Sequence, residues 1–265
     1  MDVSAIDRSA TSGTGPLRAA SPRVKLAALG LVLAATLVSW NILVLAAIFL
    51  SLLAAALWGR VKLRLALGLA AYPAVFALVF AFASAPDLMT ATVIVVKAVT
   101  SALAAVLVVL TTPYPQVFAP IQRVMPGIVG DALLMTYRAI FILAEKFSNL
   151  LRAIRLRAGL RGKSAVRSIR VTAAAVGGLL LYSVDLAQRD YDIMRIRGYE
   201  GALRITPFRS RSRKADVTLV IGSVVLLGAS TAWRVESSAL NPYSWIVVLP
   251  ALAALGLTLL LRKGE

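Results

Sequence analysis

The chain has 265 residues, of which 59% are hydrophobic and 15% charged, and its mean hydropathy of +0.82 excludes a soluble domain unless most of that surface meets lipid. Cysteine and histidine are absent, which excludes a disulfide framework, the usual thiolate and imidazole metal sites, and a nucleophile served by an imidazole base. The net charge of +17 does not point to nucleic acid, because the basic residues border apolar runs, as they do in the cytoplasmic loops of membrane proteins.

Residues 1–22, rich in Ser, Thr and Gly, read as a flexible cytoplasmic tail; the apolar run that follows is too long for the core of a cleaved signal. That run, Leu26 to Trp58, has length for two short passes, with Ser39, Trp40 and Asn41 at the tip of a hairpin. A basic loop, Gly59 to Arg64, precedes a span from Leu65 to Phe82. A turn at Pro86 and Asp87 then leads into a span from Thr90 to Leu110, so N-terminal transmembrane helices occupy residues 23–111. Lys97 falls inside the last span. An ammonium in lipid raises a suspicion of function, although from about two turns inside the helix it can also snorkel to the interface.

Residues 112–214 differ in character. Pro113, Pro115, Pro120 and Pro126 break the helical pattern and could form a hinge, and long amphipathic stretches follow. From Arg152 to Lys214 there are fifteen Lys and Arg against four acids, so this block belongs on the cytoplasmic side. Two apolar runs within residues 215–265, Val217 to Trp233 and Trp245 to Leu261, flank the turn residues Asn241 and Pro242. The tail with Arg18, Arg23 and Lys25, the loop with Arg60, Lys62 and Arg64, the central block, and Arg262 with Lys263 all want one side. Six passes with both termini in the cytoplasm satisfy them, leaving outside the loops near Trp40, Asp87 and Glu236, where Arg234 is the only basic residue. The expected fold is all-α: a polytopic membrane protein of about six transmembrane helices with cytoplasmic amphipathic helices. No internal repeat is visible.

Within the basic block, Phe147, Leu151, Ile154 and Ala158 recur at helical spacing, while Glu145, Asn149, Arg152 and Arg155 fall on other faces. This helix ends at Arg157-Ala158-Gly159. A second helix, from about Val171 through Asp185, ends likewise at Ile196-Arg197-Gly198. One such end is ordinary, since a cation in the last turn favours the helix dipole and Gly suits the C′ position. Two of them, about forty residues apart in the most basic part of the chain, present a pair of arginines at the cytoplasmic end. Each guanidinium is suited to a bidentate pair with a partner's carboxylate, a geometry lysine cannot reproduce.

These two Arg-Gly signatures resemble the Ala-Arg-Gly-type motifs of the T component of energy-coupling factor transporters, the group that includes the cobalt-transporter permease family. Ser21-Pro22-Arg23-Val24-Lys25-Leu26 is similar to that family's Asp-Pro-Arg-x-Lys-Leu approach to the first span, with Ser21 in place of Asp. Tyr137-Arg138, then Glu145, then the first signature also follow the family's order. The first motif here reads Arg-Ala-Gly where the common form places Arg directly before Gly. The resemblance runs from Pro22 to Tyr199. It implies coupling helices lying along the cytoplasmic membrane face, with Arg157 and Arg197 seated in grooves of two ATP-binding-cassette ATPase subunits. It also implies a small membrane-embedded S component, cradled on those helices, that binds the substrate. Cobalt, nickel or a vitamin would all be open, because substrate choice belongs to the S component. The host would be the cell membrane of a bacterium or archaeon. Such a subunit hydrolyses nothing and needs no cofactor; no Gly-rich Gly-Lys-Ser/Thr loop occurs in the sequence.

Two other classes compete. Asp185, Asp190 and Asp192 could hold Mg²⁺ in a membrane lipid-headgroup transferase, but a spacing of five and two does not place all three on one helical face. Pairing with Arg189 and Arg195 is the plainer expectation for them. An ordinary importer permease should carry a Glu-Ala-Ala loop with a following Ile-x-Leu-Pro, and none is found.

Overall fold

The computed structural model describes residues 15–113, 116–118, 127–156, 165–199, 212–236 and 243–263. In chain order its helices are α1 (Pro16–Ala19), α2 (Pro22–Val38), α3 (Ile42–Trp58), α4 (Leu63–Ser84), α5 (Leu88–Thr111), α6 (Gly127–Leu156), α7 (Ala165–Ile196), α8 (Arg213–Val235) and α9 (Trp245–Lys263). The protein is an all-α polytopic membrane protein. Helices Leu63–Ser84, Leu88–Thr111, Ile169–Ile196 and Arg213–Val235 are long and apolar enough to cross a bilayer, and Ile42–Trp58 and Trp245–Leu260 are shorter apolar helices. The chain divides into two compact units, one of residues 1–117 and 208–265, the other of residues 118–207.

In the first unit, local chemistry sets the helix boundaries. Pro22 opens α2 from the first turn, where its missing N–H costs nothing. The expected hairpin tip is present: α2 stops at Val38, and the Asn41 side chain caps α3 by accepting from Leu43 N–H at 2.8 Å. Asp87 opens α5 in the same way, accepting from the Thr90 N–H at 3.4 Å, and also accepts from the Thr90 hydroxyl at 2.7 Å. Of the N-terminal stretch, the described part packs, with Leu17 and Ala20 buried.

Helix α3 carries no charge and is apolar all round, so it takes the central place, packed against α9 and α5 with further contacts to α2, α4 and α8. Val44, Leu45 and Ile48 are fully buried there. Ala35, Ala56, Ala66, Ala70 and Ala104 in the same core have little or no exposed surface, and such small residues let membrane helices approach closely. At the periphery, α4 exposes Tyr72, Phe76, Phe80 and Phe82, the arrangement expected where the outer solvent is lipid.

Two lysines tie α2 to α5. Lys25, in the first turn of α2 and 4% exposed, donates to the Thr111 carbonyl at 3.0 Å and to Thr112 Oγ1 at 3.3 Å. Lys97 of α5 donates to the Leu37 carbonyl, in the last turn of α2, at 3.0 Å. Each ammonium thus satisfies a carbonyl left open at the other helix's C-terminus and meets the negative end of its dipole, which sets the two helices antiparallel. Opposite, the Ser21 N–H donates to Asp216 Oδ1 at 2.6 Å, joining the start of α2 to the first turn of α8. Lys25→Met keeps the apolar stem but leaves the Thr111 carbonyl unpaired. It is expected to lower stability by about 1–2 kcal/mol, read as a drop in the thermal midpoint of the detergent-purified chain. An unchanged midpoint would show that the bond carries no net stability.

Candidate functional site

The second unit is built on α6 and α7, which carry the basic block. Three pairings fix their direction. Tyr199 donates its hydroxyl to Asp131 Oδ2 at 2.7 Å, Arg138 Nη2 lies 3.8 Å from Asp190 Oδ1, and the Lys146 ammonium stands 5.1 Å from the Tyr182 ring centroid. As the position on α6 rises, its partner on α7 falls, so the helices are antiparallel.

Along its described residues α6 is amphipathic as its spacing predicts. Phe147, Leu151 and Ile154 are half-buried, and Glu145, Asn149, Arg152 and Arg155 are exposed. On α7 the more buried positions include Val171, Ala175, Leu179, Tyr182, Leu186, Asp190 and Met194, spaced by three or four, with Thr172 and Ser183 beside them; this is the stripe a helix turns toward one neighbour. Both helices also carry large exposed apolar side chains, among them Ile140, Leu180, Leu181, Val184 and Ile196. Bare apolar surface of this kind belongs against a partner or a membrane.

The C-terminus of α7 is shaped by its glycine. Gly198 sits at φ +79°, the left-handed region, where a residue without Cβ is favoured. Its N–H donates to the Arg195 carbonyl at 3.1 Å, and the Tyr199 N–H donates to the Met194 carbonyl at 3.0 Å. These two bonds form a Schellman cap, in which the last carbonyls are satisfied and the backbone turns away sharply. Arg197 stands at the cap itself with its side chain exposed. The chain is then held to α6 by the Tyr199–Asp131 bond; the buried Asp131 carboxylate, accepting that hydroxyl, raises the Tyr199 phenol above its ordinary pKa and keeps it a neutral donor.

Of the residues singled out from sequence, Ile196, Arg197 and Gly198 lie at this cap. Arg157, Ala158 and Gly159 fall outside the described residues; the last described residue before them is Leu156, at the end of α6. In an antiparallel pair, the ends of α6 and α7 lie at opposite poles of the unit. From Asp131, beside Tyr199, to Leu156 is roughly 37 Å at the helical rise of about 1.5 Å per residue. Arg138 pairs with Asp190, whereas Glu145 is exposed on α6. Arg23, exposed, and Lys25, engaged with Thr111, belong to the first unit.

The three aspartates do not converge. Asp185 pairs with Arg189 at 2.7 Å one turn away and Asp190 faces Arg138, while Asp192 is exposed. Of the two arginines expected to pair with them, Arg189 does so with Asp185, whereas Asp190 meets Arg138 because it lies on the stripe facing α6. No cluster of three metal-ligating side chains occurs among the described residues. Asp131 and Tyr199, 68 residues apart, were not signalled by any spacing in the sequence.

Among known proteins, the family described as cobalt transport protein, CbiQ, matches residues 13–207 of this chain. The cobalt transport protein CbiQ of Rhodobacter capsulatus is 31% identical over 121 residues, which are 45% of this chain and 47% of that protein. The chain therefore aligns with about half the length of this curated relative.

Proposed function

Because the chain belongs to the CbiQ family of cobalt transport proteins, we propose that it is the transmembrane coupling subunit of an energy-coupling factor importer, carrying ATP-driven motion from cassette ATPases to a substrate-binding S component for uptake of a transition-metal ion or a vitamin. The observation that carries this reading is the Arg197 cap: an exposed guanidinium on a rigid helix end, held by a Schellman turn and by the Tyr199–Asp131 bond. A carboxylate in a groove of an ATPase would pair with it bidentately. The antiparallel α6/α7 pair supports two such contacts, since the segment with Arg157 follows the opposite pole.

The same reading makes residues 112–214 a cytoplasmic coupling region. Although Ile169–Ile196 has the length and composition of a span, its uncharged core, Val171 to Val184, is fourteen residues. That covers about 21 Å, short of the roughly 30 Å of a hydrocarbon core. With polar and apolar faces separated, α7 is better suited to lie along the membrane face, its apolar side chains against lipid headgroups or the S component. ATPase closure would then draw the two arginine-bearing ends together and tilt the helices under the S component.

Arg197→Glu tests the docking. Reversal places like charges face to face, so the cassette ATPases should no longer co-purify with the membrane chain in detergent, while the chain itself is made in normal amount. Undiminished co-purification would remove Arg197 from the interface.

A further inference from the structure

The first unit contains a second concentration of positive charge, away from Lys25 and at the end where α2 turns into α3. A cavity of about 320 Å³ opens there, lined by Trp40, Leu43, Met89, Ser230, Trp233 and Arg234 among others. Arg234 Cζ lies 5.9 Å from the centroid of the Trp40 ring, and Lys97 Nζ lies 4.2 Å from the same centroid. Two cations therefore share one indole, Arg234 in the cavity wall and Lys97 beside it, reaching the site past Trp40. No carboxylate stands within ion-pair distance of either among the described residues. Two hydrogen-bonding groups in the cavity wall are also unsatisfied: Ser230 Oγ, on a fully buried residue, and the buried Trp233 Nε1.

Buried polar atoms without partners are rare, and adjacent cations without a counter-charge repel, so each observation separately asks for the same missing group. A tetrahedral anion answers both, accepting from the guanidinium, the ammonium, the indole N–H and the serine hydroxyl. The rim adds a further indication. Trp40, Tyr243 and Trp245 are each 55% exposed at this end, as aromatic side chains are at a membrane–water boundary, and Leu43 and Met89 give the cavity an apolar lip.

We propose that this cavity binds a phosphoryl group, and that its occupant is the headgroup of an anionic phospholipid whose acyl chains leave over Leu43 and Met89. Lys97 and Arg234 neutralise the phosphate, and Trp233 and Ser230 orient it. Lys97 is thereby a ligand residue as well as the cap of α2. The site does not depend on the coupling role of α6 and α7.

The test uses the full chain in detergent micelles, with dioleoylphosphatidylglycerol, dioleoylphosphatidylcholine and inorganic phosphate as probes. Retention of the lipids is read by native mass spectrometry, and phosphate by its competition with them. The wild type should retain phosphatidylglycerol in preference to phosphatidylcholine. Arg234→Gln and Lys97→Gln should each lower that retention roughly tenfold, as expected on losing a charge-assisted bond to phosphate. Arg64→Gln, which removes an exposed cation on α4, should leave it unchanged. Should Arg234→Gln fail to fold, Trp233→Phe, which removes only the indole donor, should still weaken retention. Competition by millimolar phosphate identifies a phosphoryl site open to the free ion; its absence together with phosphatidylglycerol preference identifies the lipid as the source. Equal retention of both lipids, or an equal fall in Arg64→Gln, overturns the site.

Discussion

The Arg157→Ala/Arg197→Ala double variant is expected to reach the membrane in normal amount and to transport nothing, whereas each single change lowers uptake roughly tenfold or more. Truncating one partner of a desolvated charge pair costs about 2–5 kcal/mol, much of it the penalty of leaving the other charge unpaired. The antiparallel arrangement of α6 and α7 makes the two losses separable. With one arginine gone, the ATPase at the other pole remains held, but the helix pair is driven from one end only. With both gone, nucleotide-driven closure has no purchase on the helices. Arg195→Ala is the informative control. Arg195 is exposed in the last turn of α7, two residues before Arg197, and would serve the helix dipole equally well. If the arginines matter only as last-turn cations, Arg195→Ala should impair uptake as much as Arg197→Ala. Under the coupling reading it does not. Wild-type uptake by the double variant, measured in cells supplying the ATPases and S component, would refute the assigned role of both motifs.

What could be read from the sequence was what short-range chemistry dictates. The hairpin tip at Ser39 to Asn41, Gly198 as a helix stop and the faces of α6 follow from residue type and a period of 3.6, and each has its counterpart in the structure. What could not be read were the contacts between distant residues. Lys25 looked like part of a basic flank, but it is buried on the C-terminus of α5, 86 residues away. For Lys97 the sequence allows either snorkelling or function; the ammonium reaches the Leu37 carbonyl and stacks on Trp40, partners that only the fold supplies. The aspartates show the same division: the pair one turn apart, Asp185 and Arg189, was legible, while the choice of Arg138 by Asp190 depended on which face of α7 meets α6. Helix α7 begins at Ala165, about six residues before the expected start at Val171. The added turns, Ala165 to Arg170, carry Arg167, Ser168 and Arg170, and a basic, polar stretch gives no apolar period by which to extend the helix backward.

Replacing Gly198 should uncouple the cap from the charge it carries. A Cβ built at Gly198 meets no atom within 4 Å, so crowding is not at issue and any effect must come from the backbone. At φ +79° an L-residue loses about 1–2 kcal/mol relative to glycine, and a β-branched one more. Gly198→Val is therefore expected to leave the left-handed region. The bonds from Gly198 N–H to Arg195 and from Tyr199 N–H to Met194 are then lost, and the exit of the chain toward Asp131 is redirected. Arg197 keeps its charge but not its direction. ATPase capture and uptake should fall roughly tenfold or more, by the relation of about 1.4 kcal/mol per tenfold. Helix content should be unchanged, since α7 itself is untouched. Gly198→Asn should retain most activity because asparagine tolerates this conformation, and Gly198→Ala should fall between the two. That order separates geometry from charge, for all three variants leave Arg197 in place. If valine couples as well as glycine, the Schellman turn is an ordinary helix end, and the orientation of Arg197 must be set by the ATPase groove alone.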